Sequence, residues 1–180
     1  MRALFLLLAT LALAPGCGGG DGGTVTPSIC LSFTGAQAPA AGRVVSRQGT
    51  GGGCSARFVD VVVTDVNDVF SGSFTVNFDP ARVAFGSASA TGTFLAAGGT
   101  QVEVVQTNPQ PGSVTVGISR IGSTTGVDVA GSQVMIHLSF APVSAGTATL
   151  TLTSAQLFGN ETPPQPKSGL TWSGGTFTVQ

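Results

Sequence analysis

The chain has 180 residues, including 27 Gly, 11 Phe, one Trp, one His and no Tyr, and only 8% of it is charged, for a formal net charge of −1. Six Arg and one Lys scattered along the length form no basic patch for nucleic acid, and so short a list of ionisable side chains argues against an enzyme. The length favours one ordinary domain with short accessories, and the Gly, Thr, Ser and Val content favours short strands joined by turns.

In chain order, Arg2 followed by the apolar run Ala3 to Ala14 reads as an export signal covering residues 1–16. Twelve apolar residues span about 18 Å as a helix, short of the roughly 30 Å of a hydrocarbon core, so a transmembrane reading is the weaker one. Ala12-Leu13-Ala14 has the small-x-small form of a leader-peptidase site, but Pro15 fits poorly beside a scissile bond. Ala14-Pro15-Gly16-Cys17 resembles the lipobox of bacterial lipoproteins, which implies that Cys17 is acylated and becomes the first mature residue. Residues 17–27 then serve as lipid anchor and glycine-rich tether, and the alternative is a simple secreted protein with an incidental Cys17. Each buried methylene of a lipid chain contributes about 0.8 kcal/mol, enough in multiple acylation to hold the domain at the cell envelope, on the outer membrane or cell surface. The Gly18-x-Gly20-x-x-Gly23 pattern has no strand before it and no helix after it, so it reads as tether and not as a dinucleotide fingerprint.

Residues 28–180 form the expected domain. Cys30 and Cys54 are left as one pair in an oxidising compartment. Closing a loop of about 25 residues, rich in glycine, would stabilise the fold by roughly 3 kcal/mol; two buried free thiols are the alternative. No metal site is expected, since His137 alone could add a nitrogen ligand.

From residue 29 onward the dominant pattern has period two. Strands are predicted near Ile29 to Phe33, Arg43 to Ser46 and Arg57 to Thr64. Next come the apolar faces Phe74, Val76 and Phe78, then Gln101 to Gln106, and then Val114, Val116 and Ile118. Val134, Ile136, Leu138 and Phe140 follow, then Ala148, Leu150 and Leu152, and finally Thr176 to Val179. Turn signals lie at Asp79-Pro80, Gly98-Gly99, Asn108-Pro109 with Pro111-Gly112, Gly122 to Gly126, Ala145-Gly146 and Pro163-Pro164. About nine one-sided strands and no helical period predict an all-β antiparallel sandwich of two sheets.

Val66-Asn67-Asp68-Val69-Phe70-Ser71-Gly72-Ser73-Phe74-Thr75-Val76-Asn77-Phe78-Asp79-Pro80, with Val83-Ala84-Phe85 re-entering the core, resembles the signature of the cohesin family of bacterial extracellular modules. Gly112 to Ile118, Gly131 to Phe140, Gly146 to Leu152 and Leu157-Phe158-Gly159-Asn160 resemble its later strands in the same order, so the likeness covers residues 57–180. It implies a jelly-roll sandwich, similar to a class of carbohydrate-binding modules, that docks a calcium-loaded dockerin domain on one flat sheet face. No dockerin-contact residue carries over. Physically, Pro80 cannot donate to a ladder and Asp79 can bond forward to close the turn, while Gly72 marks a bulge or a close backbone approach.

Other candidate residues read mainly as structural. Asp65-x-Asn67 with Asp68 could belong to a structural calcium site, but Val69 stands where an EF-hand loop needs an oxygen, so a solvated turn is the expectation. His137, between Ile136 and Leu138, should face outward, with no nucleophile elbow to serve. Asp79 and Glu103 are a turn carboxylate and a strand-surface carboxylate before they are a glycosidase pair. Trp172 could stack on a sugar, against a packing role near the last strand. Asn160-Glu161-Thr162 is a glycosylation sequon by pattern alone. The functional expectation is a non-catalytic extracellular module for a dockerin-like protein or a polysaccharide. The alternatives are direct carbohydrate binding and a structural envelope lipoprotein.

Overall fold

Alternation with period two places one side of each strand in a core and leaves the other to solvent. The computed structural model describes residues 29–122 and 125–180. The expected signal, the tether and Cys17 lie outside them.

Eleven strands are present: β1 (Leu31–Gly35), β2 (Arg43–Gly53), β3 (Ala56–Val69), β4 (Ser71–Asn77), β5 (Val83–Ser89), β6 (Gln101–Gln110), β7 (Ser113–Ile121), β8 (Val127–Pro142), β9 (Gly146–Phe158), β10 (Thr171–Ser173) and β11 (Gly175–Val179). A short 3₁₀ helix, Phe94–Gly99, lies between β5 and β6. The strands form a six-stranded sheet, β1-β11-β9-β4-β7-β6, facing a five-stranded sheet, β10-β2-β3-β8-β5. Two of these strands exceed the nine expected. β5 consists of Val83-Ala84-Phe85 and a run of small residues interrupted by Gly86, and β10 has only three residues, so neither carries a periodic signal. β10 also pairs in parallel with β2, the one departure from antiparallel pairing among the described strands.

Between the sheets, Phe74, Phe140 and Phe177 are wholly buried. The rings of Phe140 and Phe177 lie 4.8 Å apart, and Phe33 sits 4.9 Å from Phe177. Each buried Val, Leu, Ile or Phe contributes roughly 1.5–3 kcal/mol. Trp172 on β10 pairs with Val44 and turns its ring toward Phe74, with centroids 5.8 Å apart.

Four irregularities depart from the simple alternation. In β8, Val61 pairs with Ile136 and Val62 with Val134, so Met135 is the extra residue of a bulge. Met135 and Ile136 are therefore both buried, and Val134, expected in the core, turns to the opposite face. Opposite Phe74, β9 carries two residues, Ser154 and Ala155, one more than pairing needs, with Ser154 at a φ of 48°. The bulge thus belongs to β9, while Gly72 provides the close approach: a Cβ there would lie 2.9 Å from a Leu157 methyl. β3 runs on through Asp65 and Asp68, expected as a turn, because both adopt left-handed backbone at its register shifts. Likewise β6 continues through the Asn108-Pro109 signal to Gln110, with a shift between Thr107 and Gln110.

The chain changes sheets between β10 and β11 at Gly174, where a Cβ would collide with the carbonyl of Leu150. Side chains close the open flanks. The Oε1 of Gln48 accepts the Phe33 N–H at 3.1 Å, and that of Gln106 accepts the Ala88 N–H at 3.1 Å. At one end, the buried Arg120 donates to the Leu95 carbonyl at 3.1 Å and to Thr100 Oγ1 at 2.9 Å, holding the 3₁₀ helix over the core.

Cys30 and Cys54 are joined as a disulfide. Cys30 also exchanges backbone hydrogen bonds with Gln180, at 2.7 and 2.9 Å, and the Leu31 N–H donates to the Cys54 carbonyl at 3.1 Å. The bond therefore ties the β1 edge and the end of β11 to the β2–β3 hairpin. Replacing both cysteines by serine is predicted to lower unfolding free energy by about 3 kcal/mol. Urea titrations of oxidised wild type and the double variant would measure it, and an unchanged midpoint would contradict it.

Candidate binding face

The outer face of the six-stranded sheet follows from the same alternation that builds the core. On β7, Val114, Val116 and Ile118 point inward, so Thr115, Gly117, Ser119 and Ile121 point out. Register then sets the neighbours: Val105 of β6 stands opposite Gly117, which stands opposite Ser73 of β4, and Glu103 stands opposite Ser119, which stands opposite Ser71. Thr153 and Thr151 of β9 continue the face beside Thr75 and Asn77. Short hydroxyl contacts stiffen it, with Thr75 Oγ1 and Thr115 Oγ1 3.0 Å apart and the Asn77 amide donating to Thr153 Oγ1 at 2.8 Å.

Three apolar side chains break the polar pattern, and Phe158, opposite Ser71, is the partly buried one. Val105 is 52% exposed and Ile121 46% exposed. Beside Val105 lies a shallow depression of about 280 Å³ over Ser71, Ser119, Gly117 and Phe158. Glu103 is the one charged side chain on this face among the described residues. The result is a broad, open surface of mainly small side chains with two exposed apolar prominences, the partly buried Phe158 and one carboxylate.

The five-stranded sheet presents a different outer face. His137 faces outward as expected, but it is paired: its Nδ1 lies 2.7 Å from Asp60 Oδ1, with side chains 29% and 5% exposed. Asp60 is enclosed by Gly49, where a Cβ would meet its carboxylate, and lies beside Arg47 on β2. Asp60 was not visible as a special residue because it occupies an ordinary outward position between Val59 and Val61.

The other sequence candidates fall apart from one another. Asp79 closes the corner after β4, its carboxylate accepting the Ala81 N–H at 2.9 Å, whereas Glu103 sits in mid-strand on β6. Trp172, a candidate sugar platform, is half-buried and packs inward against the core, so its ring lies on neither outer face. Asp65 accepts the Gly131 N–H at 2.6 Å, and the Asp68 N–H donates to Asp128 Oδ1 at 2.8 Å. Among the described residues no three His, Cys, Asp or Glu side chains gather as metal ligands.

Asp68 instead meets Lys167, the single lysine of the chain. Lys167 Nζ donates to Asp68 Oδ2 at 3.1 Å and stands 3.6 Å from Glu161, binding the 159–170 loop to the end of β3. Desolvation pulls the Asp68 pKa upward, but the Lys167 hydrogen bond, the Asn160 N–H, the Lys167 charge and the Gly126 N–H together outweigh it and hold the carboxyl below its ordinary 3.8. With a folded pKa below the unfolded one, the stabilisation is complete above the unfolded value and disappears as pH falls through the folded one. Asp68→Asn is predicted to cost about 0.2–1 kcal/mol at neutral pH, a range already reduced for solvent screening. Its urea midpoint should fall less steeply than that of wild type below pH 4. Parallel acid profiles for the two proteins would contradict this.

No family model matches the sequence, and no curated protein matches it. Solved structures do. The sixth cohesin of scaffoldin B from Acetivibrio cellulolyticus, solved with a dockerin, is 14% identical over 82% of this chain and 96% of its own, with a TM-score of 0.53. The third cohesin of ScaC from the same organism, solved with the ScaB dockerin, is 17% identical over 68% and 87%, with a TM-score of 0.54. A non-cellulosomal cohesin from the archaeon Archaeoglobus fulgidus is 14% identical over 67% and 78%, with a TM-score of 0.50. The fold is thus a cohesin-like β-sandwich, as the order of the sequence motifs implied.

Proposed function

We propose that this chain is a non-catalytic binding module that docks a dockerin-type protein domain on the outer face of its six-stranded sheet. The observation that carries the reading is the pair of exposed apolar side chains, Val105 and Ile121, near the partly exposed Phe158 on a mainly small-residue, nearly uncharged face. Apolar prominences on a flat surface gain free energy only when a partner covers them, and the polar rim of Ser and Thr supplies hydrogen bonds around them. Two of the similar cohesins were solved with dockerins, which supports the choice of partner class.

The module acts outside the cytoplasm, held at the bacterial envelope through Cys17. The apolar run before Cys17, the glycine-rich segment after it and a disulfide suited to an oxidising compartment support that reading. Loss of radiolabelled palmitate incorporation in Cys17→Ser is the expected result, and equal labelling of both proteins would exclude the anchor.

The docking reading is tested by affinity capture from the secreted proteins of the same organism, with and without a calcium chelator. Wild type should retain a dockerin-type domain, identified by mass spectrometry and released by chelation. Val105→Arg with Ile121→Arg should reduce its retention at least about tenfold, since burying either charge unpaired is costly. Undiminished retention by the double variant would move the site off this face. Failure of wild type to retain any dockerin-type domain would remove the partner class.

A further inference from the structure

A second concave feature lies at the end of the sandwich, bounded by the β4–β5 corner and the β6–β7 turn. It is a groove of about 490 Å³ with Phe78 and Phe85 on its floor, Pro80 and Pro111 on its walls and Asn108 and Gln110 at its rim. That volume is within the range of small-molecule sites, roughly 300–1,000 Å³. Neither Val105 nor Ile121 lines it, so it is separate from the proposed docking face.

The groove is rigidly built. Phe78 and Phe85 both meet the buried Phe140 in T-shaped contacts, at 5.5 and 5.6 Å. The Phe78 N–H donates to the Gly112 carbonyl at 2.9 Å. Gly112 has a φ of 80°, and a Cβ there would lie 2.6 Å from the Phe78 carbonyl and 2.8 Å from Pro80. Only glycine fits, and its presence keeps the corner and the turn in contact.

We propose that this groove binds a neutral oligosaccharide. Among the described residues no charged side chain lines it. The nearest charged groups on the corner are committed elsewhere: the Asp79 carboxylate accepts the Ala81 N–H, and Arg82 donates to Ser144 and the Ala145 carbonyl. An uncharged lining selects against phosphates and uronates, whose desolvation nothing here would offset. Aromatic rings beneath a shallow open groove suit the C–H faces of sugar rings. Asn108 and Gln110 are exposed, and each amide both donates and accepts, as a sugar hydroxyl does. A proline-rich peptide, the other extended ligand for an aromatic groove, offers chiefly carbonyl acceptors and would engage only the amide donors.

Nitrogen-15 NMR titration of the isotope-labelled protein with cellotetraose, xylotetraose, mannotetraose and, separately, decaproline tests this. At least one tetrasaccharide should give saturable shifts in the Asn108, Gly112 and Ser113 amides. Asn108→Ala with Gln110→Ala, both solvent-facing, should weaken that binding about tenfold. The Val105→Arg, Ile121→Arg protein should bind the same saccharide unchanged, which separates this site from the docking face. No shift with any tetrasaccharide, saturable shifts confined to residues outside the groove, or groove shifts with decaproline alone would each overturn the proposal.

Discussion

The register of β4 between β9 and β7 is the constraint on which the rest of this structure depends. β4 lies in the interior of the six-stranded sheet and alternates without exception: Gly72, Phe74 and Val76 inward, Ser71, Ser73, Thr75 and Asn77 outward. A slip of one residue would drive Ser73 and Thr75 into the space now filled by Phe74 and expose the ring. One pairing therefore sets both the aromatic centre of the core and the small-residue character of the outer face. Asp79 and Pro80 fix where that register stops, because the strand cannot extend past the corner that they close.

Much of this was legible in the residues. The alternation of Phe74 to Phe78, of Val114 to Ile118 and of Ala148 to Leu152 predicted buried faces with the right parity, because nothing interrupts pairing there. Parity failed where bulges intervene. Met135 is invisible as a core residue to any count that keeps step with Ile136, and Val134 is misplaced by the same count. Asp65-x-Asn67 reads as a turn; Asp65 and Asp68 do adopt left-handed backbone, yet their neighbours keep the strand paired. Tertiary pairing overrode the local turn signal.

The candidate site was less legible, and for a related reason. Val105 and Ile121 are apolar residues at the wrong parity: Val102 and Val104 turn inward on β6, as do Val114, Val116 and Ile118 on β7. That mismatch was present in the sequence, but it becomes a surface only when β6 and β7 pair and set the two residues on the same side. Trp172 drew attention as a lone aromatic, and its position opposite Val44 depends on a three-residue parallel pairing that no periodicity announces. Lys167 and Asp68 are 99 residues apart, so their contact is a product of topology alone.

The cross-link between Cys30 and Cys54 also decides how the molecule carries mechanical load. Tension arriving from the N-terminal side reaches Cys30 before it reaches β1, and the covalent bond passes it to Cys54, two residues ahead of β3. β3 is held on both flanks, by β2 and by β8, over most of its 14 residues. A pull from that end therefore bypasses the five-residue edge strand, whose ladder would otherwise unzip first, and is borne by the most extensively paired strand of its sheet.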